Sequence, residues 1–319
     1  LTKASTRHPR PSAYRHWLEQ PVLALTLAIL VATPIFFIAA AGNLRFTITA
    51  GDLPELAAAL GGVLLALLLV GALSIVSGIA ITFWAARRRL RGLRRSAVRI
   101  GPEQFPALHA IAQAARSALD IATPVDLYLV ERAPWLTLNL APIAVLGVTK
   151  PYAIVISTTL LRDLGEDELR FLLGIEYGHV KLGHVRVLTL IDAVNGSLGR
   201  VPFVGGFIRL LFLGWTRLAT FSADRAGLVA GGRLQAAYDT FGKLAVGQQY
   251  WAEVNHVALA QQASRTRGRF FDAANRTTVP FDTQPLGRFQ RLAIFATSPA
   301  FAQLRPDADL SFPYLDLWR

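Results

Sequence analysis

The 319-residue chain has no cysteine and no methionine. Without cysteine, neither a disulfide nor a thiolate metal site can form, a composition that suits a reducing compartment. Acidic residues are scarce, with 21 Asp and Glu against 33 Lys and Arg, a formal net charge of +12. Charge of either sign is missing from two long stretches, 21–44 (PVLALTLAILVATPIFFIAAAGNL) and 56–86 (LAAALGGVLLALLLVGALSIVSGIAITFWAA). A helix crosses a bilayer with roughly 20 mostly apolar residues, and both stretches are longer. That argues against two buried helices of a soluble core. The first is also too long for a cleaved signal peptide and is followed at once by another. A mean hydropathy of +0.39 agrees, and the sequence predicts a transmembrane helical hairpin over 21–86.

What charge there is clusters beside these stretches. Residues 1–20 form a basic lead-in with Lys3, Arg7, Arg10 and Arg15 against Glu19. Residues 87–99 carry Arg87, Arg88, Arg89, Arg91, Arg94, Arg95 and Arg99 with no acid. The connection between the stretches holds only Arg45, Asp52 and Glu55. Cytoplasmic flanks are the ones rich in Lys and Arg. The expected arrangement is therefore a multi-pass protein of the inner (cytoplasmic) membrane, with its N-terminus and main domain in the cytoplasm. Arg87–Arg95 are the residues expected to flank the membrane and grip anionic lipid headgroups. No nucleic-acid recognition motif accompanies the charge, so no nucleic-acid partner is expected.

From residue 100 to 319 the composition is that of a folded domain. Helical periodicity runs over 102–118, and VDLYLVE (125–131) alternates as a strand does. Stretches 135–148 and YAIVIS (152–157) read as further strands, with TKP turning between them. GEDELRFLLGIEYGHVKLG begins acidic, as a helix N-terminus does. Glu168, three residues after Gly165, suits a capping arrangement. Residues 185–220 are apolar but punctuated by Gly, Pro and Arg, and are expected as helices that pack on the domain or lie on the membrane surface. More helices follow to 263, and the tail is irregular apart from a helix near 286–303. The fold class is α+β, mostly helical, with a small sheet.

The candidate chemistry lies in GIEYGHVKLGH, residues 174–184. It is one residue away from H-E-x-x-H, in which two histidines share a helix face to hold zinc and the glutamate is the general base. Downstream are FSADRAGL (221–228) and DTQPLGRFQRL (282–292). By the order and spacing of these segments, Ile100 to Ala302 resembles the HtpX-like membrane zinc metalloendopeptidases, which include the CAAX prenyl endopeptidases. Two N-terminal spans are also typical of them.

The resemblance implies a gluzincin-type domain and a role for each matched position. Glu176 matches the general base and His179 the second histidine ligand. Ile175 stands where the first histidine belongs, and Thr220 where a glutamate ligand belongs. Gln284 replaces a histidine thought to steady the intermediate, while Asp224, Arg225 and Arg288 keep motif positions. A catalytic zinc needs three protein ligands and one open position, so no metal and no cofactor is expected. His184, five residues after His179, would point elsewhere on a continuing helix. A bland reading pairs Glu176 with His179 and lets Asp224 and Arg225 tie helices together. Gly178 and Gly183 would allow close helix packing, and Trp84, Trp215 and Trp251 would serve packing or the membrane interface.

The function expected is therefore a membrane-anchored, catalytically inactive homologue acting as a binding, regulatory or accessory subunit of a membrane protein complex. Its partners would be membrane proteins, or an extended peptide held beside the edge strand near 135–148. The alternative is an active zinc metalloendopeptidase with substitute ligands, serving membrane protein quality control.

Overall fold

A computed structural model describes residues 10–29, 90–131, 142–198, 204–265 and 285–318, with a few isolated positions between 32 and 88. The hairpin over 21–86 lies mostly outside the described residues. Among those described, no helix is long and apolar enough to cross a membrane.

Helix α1 (Pro11–Tyr14) and α2 (19–29) form the N-terminal segment. Helix α3 (90–96) leads into strand β1 (Val98–Ile100), then α4 (Pro106–Ala118), β2 (Val125–Val130), β3 (Ile143–Leu146) and β4 (Tyr152–Ser157). After α5 (Thr158–Asp163) the chain is helical: α6 (Glu166–Leu182), α7 (Val185–Leu198), α8 (Val204–Gly231), α9 (Leu234–Val246), α10 (Gln248–Trp251) and α11 (His256–Arg265). Helices α12 (Pro285–Ala296), α13 (Pro299–Leu304) and α14 (Leu315–Trp318) close it. The mostly helical α+β class agrees with the sequence reading.

The sheet runs β1-β2-β4-β3. Only β2 and β4 pair in parallel; β1 and β3 flank them antiparallel. β4 is central and buried on both faces, hence its unbroken apolar run. Ile154 and Ile156 point into the main core, and Ala153 and Val155 pack against Leu93 on the far side. β1 begins within the arginine-rich segment read as 87–99. There Arg94 and Arg99 pair with Asp126 of β2, at 3.6 and 3.2 Å. Farther back, Arg87 and Arg88 lie over Phe83 and Trp84.

Helix α6 is buried along nearly its whole length because α8 crosses it at backbone distance. A Cβ on Gly178 would lie 2.6 Å from the Ala226 Cβ and 3.2 Å from the Ala223 carbonyl oxygen. A Cβ on Gly174 would meet Ala230 at 2.6 Å. Gly178→Val is therefore expected to destabilise the chain by about 2–3 kcal/mol through overpacking. Gly92→Ala, where nothing lies within 4 Å, should be neutral or slightly stabilising. Unfolding midpoints of the two variants check the contrast.

Gly183 has a different task from the close packing expected of it. It takes the left-handed conformation (φ 80°) and ends α6, donating to the Val180 carbonyl. Only glycine adopts that geometry without strain. The tail also differs: the helix expected near 286–303 is two, broken at Thr297–Ser298. Ser298 caps α13, accepting from the Phe301 amide, with Pro299 at the first helical position.

Candidate functional site

Helix α6 carries Ile175, Glu176 and His179, and α8 carries Thr220, Ser222, Asp224 and Arg225. The two helices face each other here because of the glycine and alanine contacts just described. Ile175 is buried against α8: a Cβ on Gly227 would be 2.6 Å from its Cγ1. An alkyl side chain thus fills the first ligand position. Thr220 Oγ1 donates to the Thr216 carbonyl at 2.9 Å, spending its proton on its own helix. Gln284 lies outside the described residues, as does the side chain of Asp192.

His179 is buried, and its Nδ1 lies 3.0 Å from the Nδ1 of His184. His184 does not point elsewhere. The sequence expectation extended the helix past residue 182, but Gly183 ends it and swings His184 back, its amide donating to the His179 carbonyl. The other His184 nitrogen, Nε2, lies 2.9 Å from Glu19 Oε1. Ser222 Oγ donates to Glu19 Oε2 at 2.5 Å, and Arg15 Nε lies 3.2 Å from Oε1. The His16 amide donates to Ser222 Oγ at 2.8 Å. Arg15 also donates to the Leu182 carbonyl at the end of α6, at 2.7 Å, a cation at a helix C-terminus.

Residues 10–20, read from sequence as a lead-in, are thus folded onto the site. Tyr14 and Glu19 are both 0% exposed. The buried carboxylate is fully engaged, as such a group must be. Sequence reasoning missed Glu19 because no local pattern links it to a histidine 165 residues away.

Glu176 and His179 take different partners rather than each other. Glu176 Oε2 accepts from the Val145 amide of β3 at 2.8 Å. β3 is an edge strand among the described residues, and the amides of Ile143 and Val145, with that of Gly147 just beyond the strand, face outward. Gly147 exchanges two hydrogen bonds with Thr189 Oγ1 of α7, at 3.2 and 3.4 Å. Side chains of α6 and α7 therefore cover this edge at Val145 and Gly147; residues 135–141 of the stretch along which the sequence reading laid an extended peptide lie outside the described residues.

On the far side, Asp224 is held by Arg288 of α12, with Nε on Oδ2 at 3.0 Å and Nη2 on Oδ1. This ties α8 to α12. Arg225 stacks on Phe295 instead. Trp215 and Trp251 are buried and Trp84 is exposed.

The electrostatics favour uncharged imidazole at His179. Burial first, then the charges of His184 and Arg288, hold it well below its ordinary value of 6.5. At Glu19 burial pushes upward, but bonds and charge from His184, with Ser222 and Arg15, outweigh it and hold the carboxyl below its usual range. Both shifts are downward, so both contribute stability at neutral pH that is lost on acidification. Below about 6.5 the unfolded chain takes up a proton at His179 that the folded chain refuses. Stability should then fall by up to about 1.4 kcal/mol per pH unit from this one site. Glu19 adds to the loss in more acidic solution. Unfolding midpoints between pH 7.5 and 5.5 test this, and His179→Asn should flatten the dependence.

Do these residues fit a catalytic zinc? Three protein donors are needed. Of the three matched positions only His179 bears one. Among the described residues, no three His, Cys, Asp or Glu converge to hold a metal ion. Among the described residues the donor set does not fit.

A buried helix with a degenerate H-E-x-x-H, crossed by a second helix carrying A-D-R and backed by a small mixed sheet, defines a metallopeptidase-like domain. The model of peptidase family M48 matches residues 102–302, and the chain belongs to that family. No curated protein and no solved structure matches the sequence.

Proposed function

We propose that this M48 protein is a membrane-anchored metallopeptidase homologue that has lost its catalytic metal. It serves as a binding, regulatory or accessory subunit of a membrane protein complex. The observation that carries the reading is the state of the ligand positions. Ile175 packs on the α8 backbone, Thr220 bonds its own helix, and His179 alone presents a donor. The anchor is the apolar hairpin over 21–86, with Arg87, Arg88, Arg89, Arg91 and Arg95 toward anionic headgroups. Arg94 has a protein partner in Asp126.

Family membership and one geometric detail favour a second reading, an active zinc endopeptidase. When His184 is neutral and donates to Glu19, its Nδ1 accepts from His179, leaving the His179 Nε2 lone pair open. A metal-bound histidine is oriented in this way. Asp192 or a residue from elsewhere in the chain would then complete the ligand set.

Metal analysis of the purified full chain decides between the readings. Well under one zinc per chain, unchanged by His179→Ala, is expected. Stoichiometric zinc that disappears in that variant overturns the first reading. Partners are best sought by co-purification with the intact chain. Residues 10–29 and 98–100 belong to the fold, so truncation at residue 99 would damage it.

A further inference from the structure

Three arginines outside the degenerate site lie together where α8 meets α12. Arg291 of α12 lies over the Phe221 ring of α8, 4.1 Å from its centroid. Arg225 of α8 lies over the Phe295 ring of α12 at 4.9 Å. Each helix thus lends one guanidinium and one aromatic face to the other. Arg217 stands one turn before Phe221 on the same side of α8.

The charges feel one another. Burial and then Arg291 lower the affinity of Arg225 for its proton. Burial and then Arg217 do the same at Arg291. Neither Arg225 nor Arg291 has a hydrogen-bonded or ion-paired acceptor among the described residues. The carboxylates nearby are taken, Asp224 by Arg288 and Glu19 by His184, Ser222 and Arg15. Stacking on a ring orients a guanidinium but leaves its in-plane N–H fork without an acceptor. Two converging guanidiniums, Arg225 half-buried and Arg291 exposed, both oriented by a ring, offer their forks to an anion.

The position suggests which anion. Helix α2 runs alongside α8 in the opposite sense. Thr26 donates to the Leu211 carbonyl, Val22 faces Gly214, and His16 bonds Ser222. Phe221 and Arg291 are therefore level with His16, about one turn before the uncharged run 21–44 begins. Trp17 at this level is 78% exposed, as a residue at a lipid interface is.

We infer that Arg225 and Arg291 form a binding site for a phosphate group, presented by an anionic lipid headgroup at the root of the first apolar run. Planar guanidinium forks match phosphate oxygens two at a time. The site is separate from the arginine run at 87–95. The lipid source rests on the membrane anchoring proposed above; the phosphate site does not.

The test uses the full chain in a neutral detergent and three probes: dioctanoyl phosphatidylglycerol, dioctanoyl phosphatidylcholine and inorganic phosphate. Binding is read as a rise in unfolding midpoint with concentration. Phosphatidylglycerol should bind and phosphatidylcholine should not. Arg291→Gln, at an exposed position and so expected to fold normally, should weaken binding at least tenfold. Arg291→Lys should weaken it less, and Arg162→Gln, at an exposed arginine of α5, should leave it unchanged. Inorganic phosphate binding as tightly as the lipid, and lost in Arg291→Gln, would keep the site and make free phosphate its ligand. Binding unaffected by Arg291→Gln, or no binding by any probe, overturns the inference. Flotation of the full chain with neutral phosphatidylcholine vesicles tests the anchoring separately.

Discussion

Replacing Glu19 by alanine is expected to destabilise the protein more than any other substitution of a polar residue near the site. The carboxylate is fully buried and joins three elements: His184 after α6, Ser222 of α8, and Arg15 of its own segment. Removing it leaves the buried His184 nitrogen and the Ser222 hydroxyl without their acceptor, at a cost of about 1–3 kcal/mol each. For a chain of this size that is on the order of a 10 °C drop in unfolding midpoint. The N-terminal segment should detach locally before the rest unfolds. Trypsin should then cut after Arg15 in Glu19→Ala but not in the native chain. Glu19→Gln, which keeps the shape and part of the bonding, should fall between them. A Glu19→Ala chain as stable and as resistant as the native one would show that residues 10–20 do not brace the α6–α8 seam.

The second large effect is a gain. Ile175→His together with Thr220→Glu rebuilds the ligand set on a scaffold that still aims at it. Positions 175 and 179 share a helix face. Thr220 is one turn from Ala223, whose backbone lies against Gly178. The Nδ1 of His179 already has its partner in His184. The double variant should retain about one zinc per chain through dialysis, while each single variant, one donor short, should not. Zinc binding also stabilises the fold by mass action, so chelation should lower the unfolding midpoint of the double variant and leave the native chain unmoved. A double variant that folds normally and takes up no zinc would mean that the seam has closed around the missing metal.

Much of this arrangement was legible in the sequence, for identifiable reasons. β4 announced itself by a continuous apolar run bounded by turns, and α6 by its acidic start and Glu168, which accepts from the Gly165 amide at 2.8 Å. That Ile175 and Thr220 are poor metal ligands follows from side-chain chemistry alone. β1 escaped because three residues at the end of an arginine run carry no period. The His179–His184 contact escaped because an angle was projected along a helix that Gly183 had already ended, although glycine after the last periodic residue is itself a stop signal. The break at Ser298 was signalled by Ser-Pro. The seating of Glu19 had no local signal at all, since it depends on α2 packing against α8 far along the chain.

A sheet with an open flank invites any passing extended chain to zip onto it, including another copy of the same protein. Here two of the outward amides along the β3 edge, those of Val145 and Gly147, are already spoken for by Glu176 and Thr189. Among the described residues, the remaining flank is β1, only three residues long and bearing Arg99. Whatever its part in hydrolysis, the glutamate of the motif thus also serves as a guard against aggregation. Removing it should be felt first as clumping of the protein, well before any change in what the protein binds.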